Sequence, residues 1–270
     1  MLMPKPAYDI TDCSPVVARG IAYTDYQLNQ ILAGPVKNIL QDTTGIEQLR
    51  EFLADSVATT DFEQQELAAL LVNNTLPESW RVGEAIAEVH IIEQEQCSFP
   101  WPTSRDLKNS NASPAGADLT GFQKVDDSDA PYRFAFGEVK TSNEKKCPPQ
   151  LMYGRTGLKK QLEDLRDSKS VKNDLSRYLG HHAINASWNL MYRSAVQRYL
   201  RSNLTDIAIF GVLIRDVEVN PADLLNRAKK LAVNCPDKTS IVLYALYLPS
   251  GTISILSDKA VAAIQSGGAT

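Results

Sequence analysis

The chain has 270 residues, 43% of them hydrophobic, and a net charge of −4. This describes a soluble globular protein of one or two domains, large enough to bury a substantial core. Its longest apolar runs, 207–214 and 241–248, are eight residues each and too short to cross a bilayer, so they read as buried strands.

The opening Met-Leu-Met-Pro-Lys-Pro lacks a signal-peptide core, so a cytoplasmic location is expected. Cys13, Cys97, Cys147 and Cys235 are scattered without CxxC or Cys/His spacing, the pattern of reduced thiols. Residues 1–76 look helical throughout, with candidate helices over 23–40, 45–54 and 62–72. Thr60-Asp61 supplies an N-cap for the third. This region serves either as a layer over the sheet or as a partner-docking surface.

A helix follows over 77–96, opened by Pro77 and carrying an apolar stripe of Ala85, Ile86, Val89 and Ile92. Glu84 and Glu88, four residues apart, share one of its faces. A first strand is expected over 97–101, then a polar loop over 102–114. The next stretch, 117–142, holds the chemistry. Leu119 and Phe122 mark one strand, Tyr132, Phe134 and Phe136 alternate along another, and Lys124 to Pro131 has turn composition. A hairpin folded about Ser128 sets Asp118 opposite Glu138, where like charges destabilise. Lys140 falls on the face of Glu138 because strand side chains repeat every two residues. Two carboxylates and an ammonium then converge at a sheet end, an arrangement that a divalent cation would relieve. Against this stands the plain alternative of a solvated strand face. The apolar Phe134, Phe136 and Gly137 leading into Glu138 argue for a built site.

Beyond the hairpin, Cys147-Pro148-Pro149 breaks the chain. Helices are expected over 158–166 and 171–200, the latter interrupted near Gly180. His181 and His182 are adjacent, so they point to different faces and read as structural or surface residues. Strands over 205–219 and 240–249 flank an amphipathic helix over 221–233. A short strand over 252–256 and a helix over 259–265 close the core, with a frayed end after Gly267. No internal repeat, low-complexity tract or Walker-type glycine loop occurs.

Residues 140–201 hold 13 Lys/Arg against 5 Asp/Glu, a local balance of +8 set against −12 elsewhere. A basic segment starting at the strand of Glu138 suits phosphate tracking; two solvated Lys-rich helices are the bland alternative. Lys145, Lys146, Arg155, Lys159, Lys160 and Lys172 are the candidate DNA contacts.

Asp118 followed after a hairpin by Glu138-Val139-Lys140 resembles the PD-(D/E)XK nuclease superfamily, with Ala117 where the motif carries proline. The resemblance implies a three-layer α/β/α restriction-endonuclease-like core with a mixed sheet over 77–270, preceded by the helical region 1–76. It makes Asp118 and Glu138 ligands of Mg²⁺ or Mn²⁺ and turns Lys140 to the scissile phosphate. A further acidic ligand comes from the preceding helix, Glu84 first and Glu88 second, and Gln161 is an accessory group. Gly83-Glu84, Gly116 to Leu119 and Gly137 to Lys140 are similar to the HamA nuclease-subunit family of the Hachiman anti-phage system. That family implies a DNase of low sequence preference working beside a superfamily 2 helicase, HamB. The alternative is a non-catalytic DNA-binding or assembly subunit that keeps the fold.

Overall fold

The computed structural model describes residues 4–54, 60–71, 76–106 and 116–266. The expected polar loop therefore lies largely outside the described residues, in 107–115, as do Val72 and the segment from Gly267.

In chain order the elements are β1 (Lys5–Ile10), β2 (Val16–Ala22), α1 (Asp25–Ile31), α2 (Lys37–Leu40), α3 (Thr43–Ala54) and α4 (Asp61–Leu71). Then come α5 (Ser79–Glu95), β3 (Cys97–Ser98), β4 (Leu119–Lys124), β5 (Tyr132–Ser142), α6 (Leu158–Asp167), α7 (Lys169–Ala183) and α8 (Asn189–Arg201). The chain finishes with β6 (Ile207–Arg215), α9 (Leu225–Ala232), β7 (Ser240–Tyr247) and α10 (Leu256–Ser266).

One mixed sheet carries everything, in the order β1-β2-β7-β6-β5-β4-β3. β2, β7, β6 and β5 run parallel, and β1, β4 and β3 pair antiparallel at the two edges. β6 sits at the centre and all nine of its residues are buried, which is why it reads as an unbroken apolar run. On one face α1, α5 and α10 pack Leu28, Ile86 and Leu256 against Ala135, Val139 and Val212. On the other, α6 to α9 set Leu162, Leu179, Ala195 and Leu231 against Phe134, Phe136 and Leu213. The result is an α/β protein of three layers. No described helix is long and apolar enough to cross a membrane.

Three expectations change. Residues 1–76 are not wholly helical: β1 and β2 form a hairpin that joins the sheet through β7. Val16, Ala18 and Ile21 are buried there, so the first 22 residues share a core with the rest of the chain. The expected last strand, 252–256, is a 3-10 turn leading into α10, because Gly251 at φ +76° turns the chain away from the sheet. The long helix breaks after Ala183 and restarts at Asn189, beyond Gly180. The Thr60 cap of α4 does form, with Glu63 N–H on Thr60 Oγ1 at 3.2 Å and Glu63 Oε2 accepting from Thr60 N–H at 2.9 Å.

Candidate functional site

The β4–β5 hairpin pairs Leu119 with Gly137, Thr120 with Phe136 and Phe122 with Phe134. Continued by one residue, that register sets Asp118 opposite Glu138, as the turn about Ser128 requires. Aromatic packing of Phe122 on Phe134, and of Phe134 on Phe136, secures it on the α6–α9 face. At the next residues the face turns polar. Glu138 is 1% exposed. Asp118 Oδ2 accepts a hydrogen bond from Val139 N–H at 2.8 Å, and Lys140 Nζ donates to Glu138 Oε1 at 2.9 Å.

α5 brings further charge to this strand end. It approaches β5 closely because Gly83 has no side chain: a Cβ there would stand 2.1 Å from Thr141 Oγ1. The next residue, Glu84, is buried and held by Arg81 Nη1 at 2.9 Å. Glu88, one turn further on, is also buried. Arg81, Glu88, Trp101, Asp118 and Thr120 line one small cavity.

Burial first, and then the Asp118 charge, push Glu138 up to about 8, against the pull of Lys140. Glu84 rises to about 7 for the same two reasons, opposed by Arg81 and Lys140. Glu88 rises to about 7 through burial, again opposed by Arg81. Burial raises Asp118 as well, while the Val139 N–H and then the Lys140 charge draw it back. The two facing carboxyls are coupled, so the pair takes up and releases its protons in two steps that belong to both residues together. Four carboxyls and two cations thus share one strand end. Burial and like-charge crowding of this kind are a means by which functional sites shift carboxyl pKa values, and structural ion-pair networks shift them too.

Hard oxygen donors under mutual repulsion fit a hard divalent cation. Asp118 and Glu138 are the natural pair. Among the described residues no three such side chains are gathered as a ready metal cage. Glu84 is engaged by Arg81 and Glu138 by Lys140. Glu84 therefore joins the donor set only by leaving Arg81.

The remaining expected residues divide. Gln161 lies on α6, and its buried Oε1 has no hydrogen-bond partner among the described residues. Lys145, Lys146 and Arg155 are exposed in the segment that follows β5. The buried Arg215 guanidinium holds that segment by donating to Ser142 O at 3.1 Å and Lys146 O at 2.9 Å. Lys159 is half-buried, and Lys160 is exposed and paired with Asp164. Lys172 drops out as a phosphate contact. It is 5% exposed, donates to Arg166 O at 3.1 Å, and burial lowers its pKa.

Two features lie outside the sequence expectations. Arg81 lies three residues before Glu84 on the same helical face, a spacing that pairs side chains. Trp101 stacks on His182 with centroids 4.1 Å apart, and its Nε1–H donates to Asp106, which also accepts from Tyr178 Oη–H. His182 is thus a structural ring beside the site, and His181 is an exposed one.

The fold and site together define an α/β protein with a buried carboxylate–lysine cluster at the end of a mixed-sheet hairpin. No protein-family model matches the sequence, and no curated protein is significantly similar to it.

Proposed function

We propose that the chain is a Mg²⁺-dependent DNA phosphodiesterase, an endonuclease of PD-(D/E)XK type with low sequence specificity. The observation that carries this reading is the half-buried Asp118 facing the buried Glu138, with Lys140 bound beside them. A bound Mg²⁺ or Mn²⁺ would supply the Lewis acidity that activates water and offsets charge on the reacting phosphate. In this reading Asp118 and Glu138 hold the cation, with Glu84 as third donor and Glu88 in reserve. Lys140, 20% exposed, presents a positive charge to the attacking oxygen. Gln161 orients groups from α6. Incubating the protein with plasmid in Mg²⁺ and in EDTA tests the proposal. Metal-dependent nicking supports it, and its absence favours a non-catalytic DNA-binding or assembly subunit. The latter reading draws on the same cluster, since Arg81 and Lys140 already neutralise part of it without a cation.

Arg81 gives a second handle. Breaking a buried pair leaves an uncompensated charge, at roughly 3–5 kcal/mol. Arg81→Met is therefore expected to lower Tm in EDTA and to recover more of it with Mg²⁺ than wild type does, because Glu84 is freed. An equal Mg²⁺ shift in both proteins removes Glu84 from the donor set.

For DNA, the exposed Lys145, Lys146 and Arg155 are the contacts of choice. Reversing each should reduce the salt slope of binding by about one unit. Unchanged slopes in all three would leave the basic segment as a solvated face.

We further assign the chain to an anti-phage defence complex, as an effector held in check by a superfamily 2 helicase. A DNase of low specificity needs restraint, and the sequence carries no nucleotide-hydrolysing motif of its own. α3 and α4 offer a docking surface, with Phe52 and Phe62 77% and 69% exposed among acidic residues. Native co-purification followed by DNase assays with and without ATP tests this. A chain that purifies alone, with activity indifferent to its neighbours, overturns it.

A further inference from the structure

The parallel strands β5, β6 and β7 end side by side at Ser142, Arg215 and Tyr247. From there the chain leaves in opposite directions. After β6 it turns to the face where Leu224, Ala228 and Leu231 pack on Leu213 and Leu243. After β7 it turns to the other face, where Ile253, Leu256 and Ala260 pack with Val212 and Ile214. Neighbouring parallel strands with diverging exits leave a crevice outside their carboxyl ends, and open α/β sheets bind ligands there.

A cavity of about 590 Å³ fills this crevice. That volume lies within the ordinary range for small-molecule sites, roughly 300–1,000 Å³. Its walls come from all three loops: Asn143 and Lys145 after β5, Asp216 and Glu218 after β6, Gly251 and Ser254 after β7. None of them lines the cavity beside Asp118 and Glu88.

The chemistry of the walls is specific. Asp216 is 5% exposed, and its Oδ2 accepts from Ile253 N–H at 2.9 Å. No described residue donates to its Oδ1. That oxygen opens on the crevice and is free to accept from a ligand hydroxyl. Glu218 beside it is exposed, and among the described residues neither it nor the Lys145 ammonium makes an ion pair. Gly251, at φ +76°, presents open backbone, with no atom within 4 Å of where a Cβ would stand. Acceptors for vicinal hydroxyls, one cation for an anion and bare backbone for close approach meet in one polar crevice. We propose that it binds a phosphorylated pentose, free or within a nucleotide, with the sugar hydroxyls on Asp216 and Glu218 and the phosphate on Lys145. This does not depend on the nuclease reading.

The cavity carries its own reporter. Cys147 lines it and is half-buried, Cys235 is half-buried elsewhere, and Cys13 and Cys97 are buried. The experiment is alkylation of the full chain, followed by mass spectrometry, with millimolar ribose 5-phosphate or adenosine 5′-monophosphate. Either probe is expected to slow modification of Cys147 and leave Cys235 unchanged. Glu218→Gln and Lys145→Ala should each weaken protection about tenfold, the cost of one hydrogen bond to a charged group. Protection by both probes identifies the pentose phosphate itself as the ligand. Protection by the nucleotide alone adds the base, and by the sugar phosphate alone a free metabolite. No protection by either, or protection unaltered in both variants, overturns the proposal.

Discussion

Replacing Glu138 and Lys140 together with alanine is expected to abolish DNA cleavage and leave the fold intact. Both side chains leave β5 on one face, two residues apart, and they are bonded to each other at 2.9 Å. The proposed chemistry loses a cation ligand and the positive charge beside the phosphate in one step. Single preorganised groups of this kind are worth ~10²–10³ in rate. Groups acting as a unit are not additive, so a loss of at least about 10³-fold is the reasonable floor. The fold should survive because the change removes a buried carboxylate whose protonation equilibrium is already strained, and no part of the aromatic packing at Phe134 and Phe136. The measurement pairs a plasmid-nicking assay with thermal melting. Wild-type rates in a folded double variant would remove this cluster from the reaction.

The hairpin was legible because three local signals agreed on one register: alternating aromatics, turn composition and the position of the turn centre. Phe122 opposite Phe134 follows from the same arithmetic that places Asp118 against Glu138. The central strands were legible for a different reason, since burial on both faces leaves them apolar at every position. The N-terminal strands were not. β2 reads Val-Val-Ala-Arg-Gly-Ile-Ala, where small residues dilute the strand signal. Gly20 within it is there for packing: a Cβ would stand 2.2 Å from the Tyr8 ring of β1. That reason is invisible until the two strands are paired. Lys172 was misplaced although its signal existed. The buried positions of α7 are 172, 175, 176, 179 and 183, a helical stripe that already includes it. Arg81 was missed because ion pairing within α5 attracts notice only once Glu84 is known to be buried. The crevice beyond β6 and β7 needed the strand order and the faces of α9 and α10, which are tertiary facts.

In EDTA, Glu138→Gln is expected to stabilise the protein above neutral pH, and the size of that gain tests the electrostatics of the cluster. The folded pKa of Glu138 is raised from an ordinary 4.5 to about 8, by burial and then by Asp118. For a group raised on folding, stability is full below the unfolded pKa and is lost as pH rises through the folded one. The window therefore runs from about 4.5 to about 8, and the loss across it is on the order of 3–5 kcal/mol. Glutamine removes that slope, and its amide oxygen still accepts from the Lys140 ammonium, which is 20% exposed. His90 acts in the opposite sense. It is 2% exposed, its Nδ1 lies 3.0 Å from Tyr23 Oη, and burial lowers its pKa to about 4. The unfolded chain binds that proton near pH 6.5, so stability is lost as pH falls from 6.5 to 4, by about 3 kcal/mol. Glu84 and Glu88, raised to about 7, lose stability over the same range as Glu138, so between pH 4.5 and 6.5 wild type should slope downward with His90 alone opposing. Glu138→Gln should make that fall shallower, and His90→Gln, which keeps an acceptor for Tyr23, should make it steeper. Denaturant melts from pH 4 to 9 in EDTA decide. A Glu138→Gln protein that loses stability above pH 7 as steeply as wild type would show that Glu138 is ionised at little cost, and that the strand end is less crowded with negative charge than its geometry implies.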